Sequence, residues 1–294
     1  MRRLYRVHVL DLASRVSTRA ERTDRAVSGM HARFAEMLPG GEVKEAGRAI
    51  WTVCAAPLLC ANGVIRFDAR DFHGPASQRE LDTCLAVMST FDLPWRFSAW
   101  AHLGAEVLLP HLLARGMAEV GTECAMWLDL PGDVLMGRAS DGRTGLRGIE
   151  IRQVDDSSGR RTWADVFNGA SSASGASGAS AGDSDMVRQM VAIPGSIALV
   201  ARMNRRAVGC LWLAIEQGLA VVHHIGVLPS ARRRGVARQM LAAAHEAAAA
   251  RGARACVALT TPEGAGLCAG LGHRAVTSVM YLIPPALGTG AYSA

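Results

Sequence analysis

The chain has 294 residues and a formal net charge of +6, a length that allows two domains with separate cores. Residues 1–25 contain seven arginines and three acidic residues, so this segment carries 7 − 3 = +4 and the rest only +2. A body so close to neutral argues against nucleic-acid binding, which needs a concentrated basic surface. We interpret residues 1–22 as a solvated, poorly ordered basic leader, although such a segment can also contact phosphates or anionic lipid.

The seven cysteines are scattered and include no CxxC pair, as expected for reduced thiols in a cytoplasmic protein. The positive charges at the N-terminus are not followed by an apolar segment, so no signal peptide is predicted. No apolar run approaches the ~20 residues of a membrane helix. We therefore expect a cytoplasmic protein with neither a membrane nor a nucleic acid as its partner.

Residues 23–145 are predicted to form a first domain of mixed helices and strands. Apolar residues at helical spacing predict a helix over 24–37, with Asp24 as its N-cap. Further along this domain, the patterns predict strands at 49–54, 63–67, 95–100 and 123–130, and helices at 78–89 and 106–114. The turn-rich segment 130–145 marks the predicted boundary with the next domain.

Residues 146–294 are predicted to form the second domain. Its predicted strands are 148–154, 196–203, 207–215, 219–227, 255–260 and 275–283, and its predicted helices are 161–167, 184–191, 236–251 and 264–271. Residues 169–182 contain only Gly, Ala and Ser, which favours a flexible loop. The order βααβββαβαβ predicts an α+β fold with a mostly antiparallel sheet and one parallel crossover through helix 236–251.

The most informative segment joins the strand that ends at Val227 to the helix that begins near Val236. Between them lies a basic loop with Arg232, Arg233 and Arg234, and Arg238 follows in the helix. A helix N-terminus presents unpaired N–H groups and a partial positive charge. Gly235 and Ala237 leave the backbone open to close approach. The segment therefore predicts a phosphate-binding or pyrophosphate-binding site.

Two motifs here are similar to those of a known family. The pattern Arg232-x-x-Gly235-x-Ala237, after Val227-Leu228-Pro229, resembles the acetyl-CoA signature of the GNAT N-acetyltransferases. Segment 267–274 resembles the family's Leu-Tyr-x-x-Leu-Gly-Phe-Arg motif. The resemblance covers residues 148–283, and the N-terminal half looks like a second, degenerate GNAT-like lobe whose loop 70–77 lacks the glycine pattern.

The resemblance implies a GNAT-like fold with two lobes in tandem, as a monomer or homodimer. It implies transfer of an acyl group from acetyl-CoA, or another acyl-CoA, to a small-molecule or peptide amine by direct attack within a ternary complex. The residues that would bind the cofactor are the strand-end residues Ile225, Gly226 and Val227 and the loop residues Arg232, Arg233, Arg234, Gly235, Val236, Ala237 and Arg238. The alternative is a non-catalytic acyl-CoA-binding sensor or scaffold, because Cys268 stands where the family usually has a tyrosine.

Three residues are candidates for the acid–base chemistry. His223 and His224 lie on the strand that leads to the cofactor loop, and either can be a base or a structural residue. Because strand neighbours face opposite sides, we expect one of them to face the acceptor, and we predict no metal site. Cys268 can donate a proton to the departing thiolate or can be a packing residue, and Glu216 is a weaker candidate base.

Overall fold

The computed structural model describes residues 18–56, 61–130, 148–172 and 190–285. Within these residues, eleven strands form one continuous sheet with helices on both faces. The first half contains α1 (Arg19–Met37), β1 (Glu42–Ala46), β2 (Ala49–Val53), β3 (Gly63–Phe67), α2 (Gly74–Ser89), β4 (Arg96–Trp100), α3 (Ala105–Leu113) and β5 (Ala118–Asp129). The second half contains β6 (Ile149–Gln153), α4 (Ser157–Ser172), β7 (Ser196–Met203), β8 (Arg206–Glu216), β9 (Leu219–Val227), α5 (Val236–Ala250), β10 (Ala255–Thr260), α6 (Pro262–Ala269) and β11 (Arg274–Ile283).

The two halves exchange their last strands. The sheet order is β1-β2-β3-β4-β11-β5-β10-β9-β8-β7-β6. Strand β5 therefore pairs with β10 of the second half, and β11 pairs with β4 of the first half. The pairs β3–β4 and β9–β10 are parallel, and every other pair in the sheet is antiparallel.

Each half follows the same sequence of elements around its parallel pair. The series β3-α2-β4-α3-β5 corresponds to β9-α5-β10-α6-β11. One face of the sheet carries α2 and α3 over the first half and α5 and α6 over the second. The opposite face carries α1 and α4, which share a single apolar cluster. The mixed α+β fold with two repeated lobes is therefore confirmed, while the limits of the two domains stay predictions.

Helix α1 begins earlier than the sequence indicated. Thr18 is the N-cap and forms a capping box with Glu21: the Glu21 N–H donates to the Thr18 hydroxyl, and the Thr18 N–H donates to the Glu21 carboxylate. The assignment of Asp24 as the cap was wrong, because Thr18 and Glu21 already satisfy the first turn. The helix thus starts inside the predicted leader, and Arg22 lies over the Trp127 ring at 4.9 Å.

Asp24 instead anchors α1 to the sheet from a fully buried position. The Arg66 Nε on β3 donates to Asp24 Oδ2 over 3.0 Å, and His102 Nε2 lies 3.3 Å from the same oxygen. These contacts join α1 to the first lobe, while other residues of α1 pack against β8 and β9 of the second lobe. Helix α1 therefore bridges the two lobes.

Three further elements can be compared with the sequence predictions: β1, α4 and the helix predicted at 184–191. Strand β1 was not predicted, because its side chains are mostly exposed and charged. Helix α4 extends to Ser172, so the first four residues of the predicted loop 169–182 are helical and the remainder lies outside the described residues. Of the predicted helix 184–191, the structure describes the last two residues, which are helical.

Within the described part of the chain, six cysteines are free: Cys54, Cys84, Cys124, Cys210, Cys256 and Cys268. Among the same residues, none of the helices combines the length and the apolar character needed to cross a membrane.

We predict that Asp24→Ala destabilises the protein by about 3–5 kcal/mol, because it leaves the Arg66 guanidinium partly buried without its partner. The matched control is Asp82→Ala, which removes the exposed carboxylate that pairs with Arg115 and should cost less than about 1 kcal/mol. Urea unfolding followed by circular dichroism measures both free energies of unfolding. Equal losses in the two variants would contradict the role of Asp24.

Candidate active site

The strand that leads to the cofactor loop contains a β-bulge. In the β8–β9 ladder, Leu213 pairs with Val222 and Trp212 pairs with His224, so His223 is an extra residue without its own partner on β8. An extra residue of this kind bends a strand and re-aims the side chains beside it. The bulge lies at the point where β9 separates from β10.

Because of the bulge, His223 and His224 lie on the same face of the sheet. The His223 ring packs 5.7 Å from Trp212 and 5.3 Å from His31 of α1. The His224 ring lies 4.3 Å from Phe167 of α4. All of these partners belong to the face that carries α1 and α4. The expectation that the two histidines face opposite sides was wrong, because strict alternation assumes a regular ladder.

Strands β9 and β10 diverge after a short parallel pairing. Leu219–Val222 pairs with Ala255–Ala258, and no further pair follows. The backbone from His223 to Val227 therefore has no partner strand on its β10 side, although β8 still pairs with it on the other side. This opening includes Ile225, Gly226 and Val227, and it offers backbone N–H and C=O groups to a bound molecule.

Close packing holds this part of β9 in place. A Cβ atom on Gly226 would lie 3.0 Å from both Ala170 Cβ and His224 Nε2, so α4 approaches the strand as closely as a glycine permits. The Trp163 indole on α4 also donates to the Leu211 carbonyl over 2.9 Å. Helix α4 thus fixes the wall of the opening on the face that carries the two histidines.

The loop between β9 and α5 has an unusual backbone. Arg233 and Gly235 adopt positive φ values of 62° and 78°, and for a residue with a side chain this conformation costs on the order of 1–3 kcal/mol. The Arg232 side chain holds the loop, since its Nε donates to the Val227 carbonyl over 3.1 Å and its Nη2 to the Ala170 carbonyl over 3.4 Å. Arg232 therefore connects the loop to the ends of β9 and α4.

Six consecutive backbone N–H groups of this loop are open. Among the described residues, none accepts a hydrogen bond from the N–H of any residue from 233 to 238. Gly235 is the N-cap of α5 and has no side chain that could cap the helix. Alternating left-handed residues at a helix N-terminus form a concave anion-binding backbone, so the loop has the chemistry of a pyrophosphate site.

Positive charge surrounds these open groups. The side chains of Arg233, Arg234 and Arg238 are exposed, and within the described residues none of them forms a salt bridge. Arg238 Nη1 extends toward the end of α6, where it would lie 3.4 Å from a Cβ atom on Gly270. Arg238 thus lies on the side of the loop that faces α6.

Cys268 lies on α6 in the core beneath α5 and is almost fully buried. Burial, together with the nearby Cys124 thiol, raises the pKa of the Cys268 thiol to about 11. A thiol with such a pKa is a weak proton donor. Glu216 is also occupied: it forms an ion pair with Arg33 of α1, and burial raises the pKa of its carboxyl.

Burial keeps both strand histidines neutral. It lowers the pKa of His223 to about 4, helped by the charge of Arg96. It lowers the pKa of His224 to about 3, helped by His223. Both values lie well below the reference histidine pKa of about 6.5, so neither residue is expected to change its charge near that pH in the free protein.

Three polar residues on the strands that the lobes exchange were not predicted from the sequence. Tyr281 of β11 donates its hydroxyl to Glu123 of β5 over 2.6 Å, and the Arg96 guanidinium of β4 lies 4.0 Å from the Tyr281 ring centroid. The three residues come from distant parts of the chain and become neighbours through the strand exchange, so no local sequence pattern could reveal them. In contrast, no group of three or more His, Cys, Asp or Glu side chains suited to a metal ion occurs in the described ranges.

The comparisons with known proteins agree with this geometry. Residues 194–272 match the model of the acetyltransferase (GNAT) domain, a range that includes β9, the open loop, α5 and α6. A GCN5-related N-acetyltransferase from Kribbella flavida superposes with a TM-score of 0.63 at 18% identity, covering 88% of this chain and 95% of that one. No curated protein matches the chain by sequence.

A second solved structure has the same two-lobed arrangement. A tandem GNAT protein from the clavulanic acid biosynthesis pathway superposes with a TM-score of 0.53 at 12% identity, covering 90% of this chain and 94% of that one. At such identities the two superpositions establish the fold alone. Residues 194–272 are identified as an acetyltransferase (GNAT) domain, and the chain as a whole has the two-lobed GNAT fold.

We predict that acid weakens the fold through the neutral histidines. The pKa of His224 is lower in the folded than in the unfolded protein, so below pH 6.5 the unfolded state binds more protons and stability falls. Between pH 7 and pH 5 this residue alone should cost about 2 kcal/mol. His224→Phe keeps an aromatic ring against Phe167 and should remove that share of the loss.

The measurement is urea unfolding at pH 7 and pH 5 for the wild type and the variant. The wild type should lose more stability than His224→Phe over this interval. An identical loss in the two proteins would show that His224 is not a neutral, buried group in the folded state.

Proposed function

We propose that the protein is an acetyl-CoA-dependent N-acyltransferase that transfers the acyl group to a small amine. The row of six open N–H groups at residues 233–238 carries the proposal. It lies beside the opening between β9 and β10, and both features fall within the range that matches the GNAT domain. An acyl-CoA contains a pyrophosphate, which suits the open N–H groups. It also contains an extended chain with amide groups, which suits the unpaired backbone of the opening.

The two parts of the ligand would meet different parts of the chain. The pyrophosphate would accept hydrogen bonds from the N–H groups of Arg233 to Arg238, with the exposed arginine side chains as counter-charges. The extended chain would lie along Ile225, Gly226 and Val227 and pair with their backbone in place of the missing strand. An acyl-CoA supplies a thioester, whose carbonyl is the electrophile of the reaction.

In this reaction the amine nitrogen forms a bond to the thioester carbonyl carbon, and the carbon–sulfur bond breaks. The amine loses a proton, and CoA leaves as a thiolate. His223 and His224 are neutral, so each can accept a proton or a hydrogen bond on the face that carries α1 and α4. Since their conjugate acids are strong, we propose that a histidine on this face passes the proton on to water instead of storing it.

Cys268 is a weak candidate for the acid. Protonating a CoA thiolate from a thiol of pKa about 11 is uphill against a reference thiol pKa of about 8.5. A thiolate is also a fair leaving group near neutral pH and needs little help. We propose that Cys268 mainly packs the core beneath α5, and that the enzyme works without a tyrosine at this position.

A second candidate function uses the same binding site without turnover. A non-catalytic acyl-CoA sensor or scaffold is favoured by the absence of the family's tyrosine at Cys268. The decisive assay follows CoA release from acetyl-CoA with a thiol reagent against a panel of amines, beside acetyl-CoA binding by calorimetry. Amine-dependent CoA release supports the enzyme, and tight binding without any release supports the sensor.

Gly235→Asp should abolish acetyl-CoA binding. It places a negative charge at the open N–H groups and forces a side chain into a φ of 78°, so we expect a loss of at least 100-fold in affinity. Gly252→Asp is the matched control: Gly252 also has a positive φ, 83°, but it follows the opposite end of α5.

Calorimetry should show weak or no binding for Gly235→Asp and near wild-type binding for Gly252→Asp, with circular dichroism confirming that both variants fold. Unchanged affinity in a folded Gly235→Asp protein would place the cofactor elsewhere.

The first lobe should not bind the cofactor, so titration should give one acetyl-CoA per chain. Helix α2 occupies the position that α5 has in the second lobe, but Pro75 in its first turn has no N–H to offer. Arg70, in the loop before α2, already pairs with Asp68 and Glu21. A calorimetric stoichiometry of two would refute the silent lobe.

A further inference from the structure

A polar cluster at the junction of the lobes is formed by Arg96, Tyr281 and Glu123, which we call the junction cluster. It spans three adjacent strands, β4, β11 and β5. The Tyr281 ring stands between the two charges: its hydroxyl donates to Glu123 Oε2 over 2.6 Å, and the Arg96 guanidinium lies over its ring at 4.0 Å. The Tyr281 side chain thus contacts both charged groups and stands between them.

Neither charge of the junction cluster is neutralised by the protein. The Arg96 guanidinium carbon lies over the Tyr281 ring, and among the described residues none accepts a hydrogen bond from the Arg96 side chain or forms a salt bridge with it. Among the described residues, Glu123 likewise has no cationic partner. The two charges lie on β4 and β5, with β11 between them, and an ionised group is costly to hold half-buried without a counter-ion.

The junction cluster lies at the same place as the opening between β9 and β10. Cys124 pairs with Thr260, the last residue of β10, and Glu123 comes next along β5. Glu123 is therefore at the end of the sheet where β9 has already separated. Alternation along β4, β5 and β11 puts all three side chains on the face that holds Trp100, Trp127 and Val279.

His223 lies on this same face, and the charge of Arg96 acts on it. The junction cluster and the bulged part of β9 therefore lie on one face of the sheet, the face that carries α1 and α4. A molecule that reaches the thioester from this face meets a carboxylate and a guanidinium contributed by the strands of the first lobe.

We propose that the acceptor is an amine that carries its own acidic group, an amino-acid-like zwitterion, with its ammonium group on Glu123 and its anionic group on Arg96. This inference rests on the proposed function and specifies its substrate class. A carboxylate fits a guanidinium edge through two parallel hydrogen bonds. Glu123 holds the amine before it is deprotonated, and Tyr281 is a positioning residue for both charges.

The experiment compares acceptors that differ in charge alone. CoA release from acetyl-CoA is measured with α-amino acids, with the amide of each amino acid, and with O-phosphoethanolamine, which presents phosphate instead of carboxylate. We expect at least one acidic acceptor to exceed its uncharged counterpart about 10–100-fold in kcat/KM, the range for a charge-assisted hydrogen bond. A preference for carboxylate or for phosphate distinguishes the two sources of the anion.

Arg96→Gln should remove this preference by raising KM for the acids to the level of their amides, while acetyl-CoA affinity stays at the wild-type value. Tyr281→Phe keeps the ring beneath Arg96 and should preserve the preference for the anion, while it weakens binding of the amine at Glu123. Arg79→Gln is the matched control, because it removes an exposed arginine of α2, which lies on the opposite face of the sheet, and should change none of these values.

Equal turnover of each acid and its amide by the wild type would overturn the inference and leave the proposed function standing. An equal loss of kcat/KM for acids and amides in Arg96→Gln would likewise overturn the inference and leave the proposed function standing. If no acceptor gives CoA release, the proposed function itself fails, and this inference fails with it.

Discussion

The separation of β9 from β10 after four paired residues is the constraint on which the site depends. The backbone N–H and C=O groups of a strand inside a sheet normally form hydrogen bonds on both sides. An unpaired edge in the middle of the sheet therefore requires an explanation. The cause is the bulge at His223, which bends β9 away, together with α4, which packs tightly against Gly226. In the proposed function, these unpaired backbone groups, which are continuous with the open loop before α5, would bind the extended part of the ligand.

Other features of the second lobe follow from this separation. Arg232 closes the end of the gap by joining the loop to β9 and α4, so the open N–H groups keep their direction without a ligand. The bulge also turns both histidines toward α1 and α4, and burial there keeps them neutral. The unpaired backbone of β9 and the shared face of the two histidines thus both follow from one irregularity in one strand.

The sequence allowed most elements and the loop before α5 to be predicted, because those features are local. Strands such as β7, β9 and β10 have continuous apolar runs, and the basic loop with Gly235 is followed directly by an Ala-rich helix. The orientation of His223 and His224 could not be predicted, since a bulge depends on the register with β8. The start of α1 was misjudged because Asp24, a common cap residue, serves as a buried anchor.

The exchange of β5 and β11 has a consequence for how this protein is made and how it can change. When the ribosome has produced the first lobe, the edge of β4 still lacks its neighbouring strand β11. Strand β11 begins some 170 residues after the end of β4. The first lobe is therefore completed late, and contacts over such a separation form slowly. The same exchange makes β5 a central strand of the second lobe's sheet. The first lobe is thus part of the core of the second, and deleting it would remove a central strand from the second lobe's sheet.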